Sequence, residues 1–152
     1  MSVIKLNETN TICVTGKSVY RYIELTEELK DKDDKLTAKQ TGLDVFGGKA
    51  QHVTDNYTCH CWIKDTARVI VCTEEGDILL TDYEGRFLAY IAGLNDVIEC
   101  IQPISFGFVV GGKAKILLFK ETDNSQTYYK QIKTISDPSA WDKDTVMNLC
   151  IS

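Results

Sequence analysis

The feature that most constrains this chain is a succession of short β-rich segments separated by turn residues. Each run contains about 4–8 residues rich in Val, Ile, Leu and aromatic side chains, and Gly, Asn or Asp follows it. This pattern is typical of antiparallel hairpins, in which a tight turn returns the chain alongside itself. Helical periodicity is nearly absent. The sequence therefore predicts an all-β structure.

Ten strands are predicted, at residues 11–15, 18–24, 57–63, 67–73, 77–82, 86–91, 97–102, 106–111, 115–120 and 127–135. The run 3–6 resembles the end of one more strand. The charged stretch 30–35 offers no apolar face to bury, so a solvated hairpin loop is favoured there over a helix. Segment 42–56 contains Gly47-Gly48 and no clear period, which predicts a long surface loop.

The strand pairs also form an internal repeat. Segment 12–16 with 18–22 matches segment 70–73 with 76–80, and both match 108–112 with 114–119. The interval from Thr73 to Gly111 is close to the roughly 40–45 residues of a WD-type propeller blade, and the first interval is longer because segment 42–56 is inserted. We therefore predict a WD-repeat-type β-propeller segment of about three four-stranded blades. The blades span residues 1–41, 57–91 and 97–135, and a further blade starts at 145–152.

Three blades do not complete a propeller, because propellers close with typically four to eight. Both ends of such a segment leave a blade face that carries Val, Ile, Leu and aromatic side chains. An apolar face of that kind is either an interface or an aggregation hazard. We therefore expect the chain to be part of a longer protein, or to be completed within a large complex.

The net charge of the chain excludes some classes of binding partner. The chain has 22 acidic and 17 basic residues and a net charge of −5, which argues against nucleic acid or an anionic membrane as the main partner. No apolar run approaches the roughly 18 residues that span a bilayer. The N-terminal segment shows no secretory signal, so the cytosol or a connected compartment is expected. The six cysteines should be mostly reduced there and should pack as small hydrophobic residues.

The most conspicuous chemical cluster is Cys59-His60-Cys61. On a strand, the two cysteines share one face and His60 points to the other. Structural zinc sites favour Cys-x₂₋₄-Cys spacing with a second ligand pair, and none is present. No metal, cofactor or catalytic residue is therefore predicted. The alternative hypothesis is a cytosolic zinc- or thiol-dependent protein that uses this cluster.

Other candidate features have simpler interpretations. The glycine pairs at 47–48 and 111–112 do not have phosphate-loop spacing, and Gly111-Gly112 is better explained by a hairpin turn. Packing between blades is the default interpretation for the strand aromatics, which are Tyr57, Trp62, Tyr83, Phe87, Tyr90, Phe106, Phe108 and Phe119. Trp141 lies in an apparent loop, so it either folds back as a plug or contacts a partner.

Several segments resemble the cilia- and flagella-associated protein 57 family of axonemal WD-repeat proteins. They are residues 12–16, 57–62, 73–80, 107–110, 116–120, 128–132 and 137–150. Related ciliary WD-repeat proteins remain the alternative to this family. The resemblance implies a non-enzymatic scaffold in the axonemal cytoskeleton of cilia and flagella. It also implies that such a protein docks or regulates dynein-arm-associated complexes on the doublet microtubule.

The chain departs from that family pattern in three respects. Its single Trp-Asp pair, Trp141-Asp142, lies in a loop rather than at a blade end. A Gly-His element and coiled-coil heptads are both lacking. The resemblance therefore implies the propeller part of such a protein and not its docking site.

Overall fold

A computed structural model describes residues 2–6, 9–27, 36–41, 56–63, 66–136, 146 and 149. Within these ranges the chain forms twelve β-strands and no helix. The strands are β1 (Ser2–Leu6), β2 (Thr9–Gly16), β3 (Val19–Glu27), β4 (Leu36–Thr41), β5 (Tyr57–Trp62), β6 (Arg68–Thr73), β7 (Asp77–Asp82), β8 (Phe87–Gly93), β9 (Ile98–Ile104), β10 (Gly107–Gly112), β11 (Lys115–Glu121) and β12 (Tyr129–Ser136). The described part of the chain therefore contains no helix that could span a membrane.

The strands form three antiparallel sheets of four, each a meander in chain order. We call β1–β4 the first sheet, β5–β8 the middle sheet and β9–β12 the third sheet. The predicted fold class is confirmed, because the described residues are all-β and their sheets do not close into a barrel, as expected of an incomplete propeller segment.

Every one of the ten predicted strands is present, with ends that move by a few residues. One strand, β4, lacks a sequence signal, because Leu36–Thr41 has no run of apolar residues. It forms by pairing with β3, from Tyr22 opposite Thr41 to Glu27 opposite Leu36. The loops predicted at 30–35 and 42–56 lie outside the described residues, apart from Asn56.

The middle sheet is packed between the other two. Its first strand, β5, lies against β9 of the third sheet and against β1 and β2 of the first. The first strands of the sheets thus lie next to each other, as the inner strands of successive propeller blades do.

Two-sided packing explains the continuous apolar run of β6. Val69 and Val71 join a cluster with residues of the first sheet, whereas Ile70 and Cys72 join a cluster with residues of the third. All four side chains are completely buried. A strand that is covered on one face alone would alternate apolar and polar residues instead. Each fully buried aliphatic side chain contributes about 1.5–3 kcal/mol to the driving force for folding.

The three sheets repeat the same turn between their second and third strands. Ser18, Gly76 and Ala114 occupy equivalent positions, and all three have positive φ values of 53°, 88° and 53°. At Gly76 the backbone of Asp96 approaches so closely that a side chain would collide with it. Gly76 is therefore required both by its backbone conformation and by its neighbour.

The segments that lead to the middle and third sheets each contact the turn of the sheet before, and Val146 contacts the third sheet in a similar way. Asn56 forms a β-bridge with Lys17. The amide of Leu94 donates to the Gly76 carbonyl at 3.0 Å, and the amide of Val146 donates to the Gly112 carbonyl at 3.1 Å. The internal repeat is thus visible in the connections as well as in the strands.

Candidate functional site

The Cys59-His60-Cys61 segment lies on β5, at the centre of the three sheets. Cys59 and Cys61 face the third sheet, where they contact the apolar cluster that contains Ile70 and Phe108. His60 points to the first sheet, where its Nδ1 lies 2.8 Å from the Thr15 hydroxyl. Strand alternation therefore separates the imidazole from both thiols, as predicted.

The thiol face of β5 is largely apolar. Cys61 is 4% exposed and Cys72 is completely buried. Burial raises the pKa of the Cys61 and Cys72 thiols well above their usual value, and the neighbouring cysteines raise the pKa of Cys72 further. Both side chains are consequently neutral thiols near pH 7. Because the thiolate is the nucleophile and the metal ligand, neither side chain is activated for either role.

The His60 imidazole is also held neutral. Its burial lowers the pKa from 6.5 to about 4. Its Nε2 atom is buried and has no hydrogen-bond partner among the described residues. A hydroxyl–imidazole pair needs a third group that orients the base, and no such group meets this ring nitrogen within the described ranges. Thr15 and His60 therefore form a structural contact.

The described residues offer no group of three or more His, Cys, Asp or Glu side chains arranged to hold a metal ion. Since His60 and the two cysteines point to opposite faces of β5, they cannot bind one ion together. The geometry thus gives no support to the alternative hypothesis of a zinc- or thiol-dependent centre at residues 59–61.

A buried hydroxyl cluster joins the first and middle sheets. The Tyr20 and Tyr22 hydroxyls lie 2.5 Å apart, and the Thr81 hydroxyl is 2.5 Å from Tyr20 and 3.1 Å from Tyr22. Burial raises the pKa of both tyrosines well above the ordinary value, so both remain protonated donors. Sequence reasoning missed this cluster, because Thr81 lies about 60 residues from the two tyrosines and Tyr is common in strands.

The predicted core role of the aromatic residues is correct for only some of them. Tyr57 and Trp62 pack against Tyr20 and Tyr22. A second group contains Phe108, Phe119 and Tyr129, with Phe108 stacked on Phe119 at 4.8 Å between ring centroids. Three aromatic side chains are instead exposed, namely Tyr83, Tyr90 and Phe106. Tyr83 and Phe106 occupy hairpin turns and Tyr90 lies on the edge strand β8, where no second layer of described residues covers them.

The third sheet has one face turned away from the middle sheet. The strand register places Val109, Gly111, Ile116, Leu118 and Ile135 on that face, which we call the outer face. Ile135 is 40% exposed, whereas Val109 is 9% exposed. The same register also places Gln102, Lys120 and Lys133 on the outer face. The outer face thus combines apolar and polar side chains and is only partly covered.

Val146 covers one end of the outer face. The Cys100 thiol donates to the Val146 carbonyl at 3.2 Å. A Cβ atom at Gly111 would lie 2.7 Å from both the Cys100 sulfur and a Val146 methyl group. The equivalent thiol on β5, Cys59, donates to the Ile98 carbonyl of β9 at 3.9 Å. The contact of Val146 with the third sheet therefore resembles the contact of β9 with the middle sheet, since a cysteine thiol donates to a backbone carbonyl in both.

Trp141, the candidate partner contact, lies outside the described residues. The same holds for most of the predicted further blade at 145–152, of which Val146 and Leu149 are described.

Comparison with known proteins shows similarity to a ciliary protein. No family model matches the chain. Over 100 residues it is 34% identical to cilia- and flagella-associated protein 57 A of Tetrahymena thermophila, and this alignment covers 63% of the chain. The chain spans 7% of the length of that relative. The resemblance found in the sequence is confirmed by this match, and the relative's name agrees with the predicted ciliary and flagellar localisation.

Proposed function

We propose that this chain is a non-enzymatic interaction module, one part of a WD-repeat-type propeller in the axoneme of cilia or flagella. Its role is to dock or regulate dynein-arm-associated components on the doublet microtubule. The proposal extends the coarser ciliary role, which the similarity to a cilia- and flagella-associated protein supports.

The observation that carries the proposal is the 34% identity over 100 residues to that ciliary protein. The fold agrees with it, because three consecutive four-stranded meanders with adjacent first strands are what a run of propeller blades requires. Propellers commonly act as rigid platforms that present loops and blade rims to partners.

The outer face of the third sheet supports an extended platform. Val146 contacts Gly112 beside the turn of the third sheet, much as Leu94 contacts Gly76 in the turn of the middle sheet, and a new sheet begins shortly after Leu94. By this equivalence, residues 145–152 begin a fourth sheet, which would pack on the outer face.

The absence of enzymatic activity remains part of the proposal. It is supported by the neutral thiols of Cys61 and Cys72 and by the neutral, unoriented imidazole of His60. None of these groups is prepared for nucleophilic or acid–base chemistry near pH 7.

Tagging the protein at its native locus in a ciliated cell tests the proposal. We expect the tag along the cilium and in the axoneme that remains after detergent has removed the ciliary membrane. Chemical crosslinking should recover dynein-arm-associated neighbours. A tag excluded from the cilium, or released completely by detergent, would refute an axonemal role.

A matched pair of variants tests the proposed partner contact. Trp141→Ala should reduce the recovery of crosslinked neighbours, whereas Tyr83→Ala, which truncates an exposed aromatic side chain in a hairpin turn, should not. Equal recovery from both variants and the wild type would remove Trp141 from the contact.

A further inference from the structure

Cys59 and Cys72 lie directly opposite each other on β5 and β6. Both side chains are on the face toward the third sheet. Opposite residues of an antiparallel pair have Cβ atoms about 4.5–5.5 Å apart. A disulfide requires about 3.5–4.5 Å, so a small adjustment of the two strands brings the sulfurs into bonding range.

The two thiols differ in their access to solvent. Cys59 is partly exposed, whereas Cys72 is completely buried. The other described cysteines, Cys13, Cys61 and Cys100, are all buried. A small oxidant dissolved in water therefore reaches Cys59 first and finds Cys72 as its neighbour.

Thr58 adds a polar group beside this pair. Its hydroxyl lies 3.8 Å from the Cys59 sulfur and 3.4 Å from the Cys72 carbonyl oxygen, to which it donates. A rotation of this hydroxyl directs its proton to the Cys59 sulfur. The site of the first oxidation step therefore has a polar neighbour on its own strand.

We propose that Cys59 and Cys72 form a disulfide site that responds to hydroperoxides. The Cys59 thiol gives up its proton and attacks one peroxide oxygen, and the O–O bond breaks. The proton leaves with the departing oxygen as water or an alcohol, and Cys59 becomes a sulfenic acid. The neutral Cys72 thiol then attacks the Cys59 sulfur, and it becomes nucleophilic only as its proton passes to the departing oxygen. The S–S bond forms, the S–O bond breaks, and the hydroxide takes the Cys72 proton and leaves as water. The two thiols supply the two electrons that reduce the peroxide.

Oxidation would change the contact between two sheets. The disulfide joins β5 covalently to β6 within the middle sheet. At the same time the Cys59 sulfur loses its proton, and with it the hydrogen bond to the Ile98 carbonyl of β9. We expect the oxidised middle sheet to resist unfolding more strongly, since the cross-link restricts the unfolded chain. The amides at the start of β9 should exchange faster.

The test treats the reduced full chain with hydrogen peroxide and then alkylates the remaining thiols. We expect a mass lower by two hydrogen atoms, and peptide mapping should find Cys59 linked to Cys72. Dithiothreitol should restore both thiols. The oxidised chain should also unfold at a temperature several degrees higher. The variant Cys59→Ser should lose the cross-link, and the matched control Cys100→Ser should keep it.

Three outcomes would overturn the proposal. One is a bond from Cys59 to Cys61 or to any other cysteine. Another is Cys59 oxidised to the sulfinic acid while Cys72 stays free. The last is no loss of thiols at a peroxide dose that oxidises a free cysteine in an unstructured peptide. Circular dichroism of each variant checks that a lost cross-link does not reflect a lost fold.

Discussion

The middle sheet packs against the first sheet on one face and against the third sheet on the other. The β6 side chains are equally buried on both faces, but the two interfaces differ in chemistry. Toward the third sheet it presents Ile70, Cys72 and other apolar side chains against Phe108 and Phe119. Toward the first sheet, the aliphatic and aromatic side chains surround the hydroxyl cluster and His60. Val69, Ile70, Val71 and Cys72 are all fully buried, so burial does not distinguish the two sides.

The two interfaces are stabilised in different ways. The apolar interface depends on area and close packing, which tolerate small changes of angle. The hydroxyl interface depends on direction, because each buried hydroxyl needs a partner at hydrogen-bond distance. We infer that the apolar interface with the third sheet supplies most of the stability. The hydroxyl interface with the first sheet fixes how the first and middle sheets are aligned.

Truncating the centre of the apolar interface should have the largest effect. Phe108→Ala removes a fully buried ring that stacks on Phe119, and we expect the free energy of unfolding to fall by about 3–5 kcal/mol. Phe106→Ala is the matched control. That ring is 44% exposed, so its loss should cost no more than about 0.5 kcal/mol. Urea titration of both variants measures the difference. Similar losses would mean that the stacked rings are not the centre of the interface.

Removing one hydroxyl from the polar interface should cost less. Tyr20→Phe leaves Thr81 and Tyr22 with one partner fewer, and we expect a loss of about 1–3 kcal/mol. The triple variant Tyr20→Phe, Tyr22→Phe and Thr81→Val removes all three hydroxyls. It should be more stable than the sum of the three single losses predicts. Strict additivity in this mutant cycle would show that the hydroxyls do not act as a cluster.

The polar interface should also respond to pH. The His60 pKa is lowered from 6.5 to about 4, so the folded state binds less proton than the unfolded state between these values. The stability that comes from keeping His60 neutral is fully present above about pH 6.5 and is lost as the pH falls to about 4. For this partly buried ring we expect the free energy of unfolding to fall by about 1–2 kcal/mol over that range. Chemical denaturation at several pH values measures this loss.

The variant His60→Gln isolates that contribution. Its stability should depend less on pH than that of the wild type between pH 6.5 and 4, because the remaining titrating groups are common to both. Parallel pH profiles for the two proteins would mean that His60 is not protonated on unfolding in this range.

The smallest effect is expected at the rim of the apolar interface. Lys115 Nζ lies 3.0 Å from an Asp96 carboxylate oxygen, with both side chains about one-third exposed. Lys115→Met should lower the free energy of unfolding by about 0.2–1 kcal/mol. The loss should shrink in high salt, which screens exposed charges. A loss as large in high salt as in low salt would point to the packing of the Lys115 stem rather than to its charge.

The strands could be predicted well because their signal is local. Runs such as 69–72 and 107–112 carry apolar side chains between turn residues, which is the local pattern of a strand in a hairpin. Strand alternation also correctly predicted that His60 and the neighbouring cysteines lie on opposite faces of β5. In contrast, β4 has no local signal, since its strand conformation comes from pairing with β3.

The chemistry of the two interfaces could not be predicted in the same way. Tyr20 and Thr81 belong to different sheets, and nothing in either segment indicates the other. The run 69–72 predicts a buried strand but not which side chains face which sheet. The exposure of Tyr83 and Phe106 likewise follows from the missing second layer over a hairpin turn, which is a tertiary property.

Amide hydrogen exchange tests most directly the claim that the middle sheet is covered on both faces. We predict that peptides from β6 and β7 exchange slowest, because their hydrogen bonds lie between two buried layers. Peptides from β12 should exchange much faster, since every residue from Lys130 to Ser136 is exposed and the strand lies at a sheet edge. Equal exchange rates for β6, β7 and β12 would contradict the three-sheet arrangement.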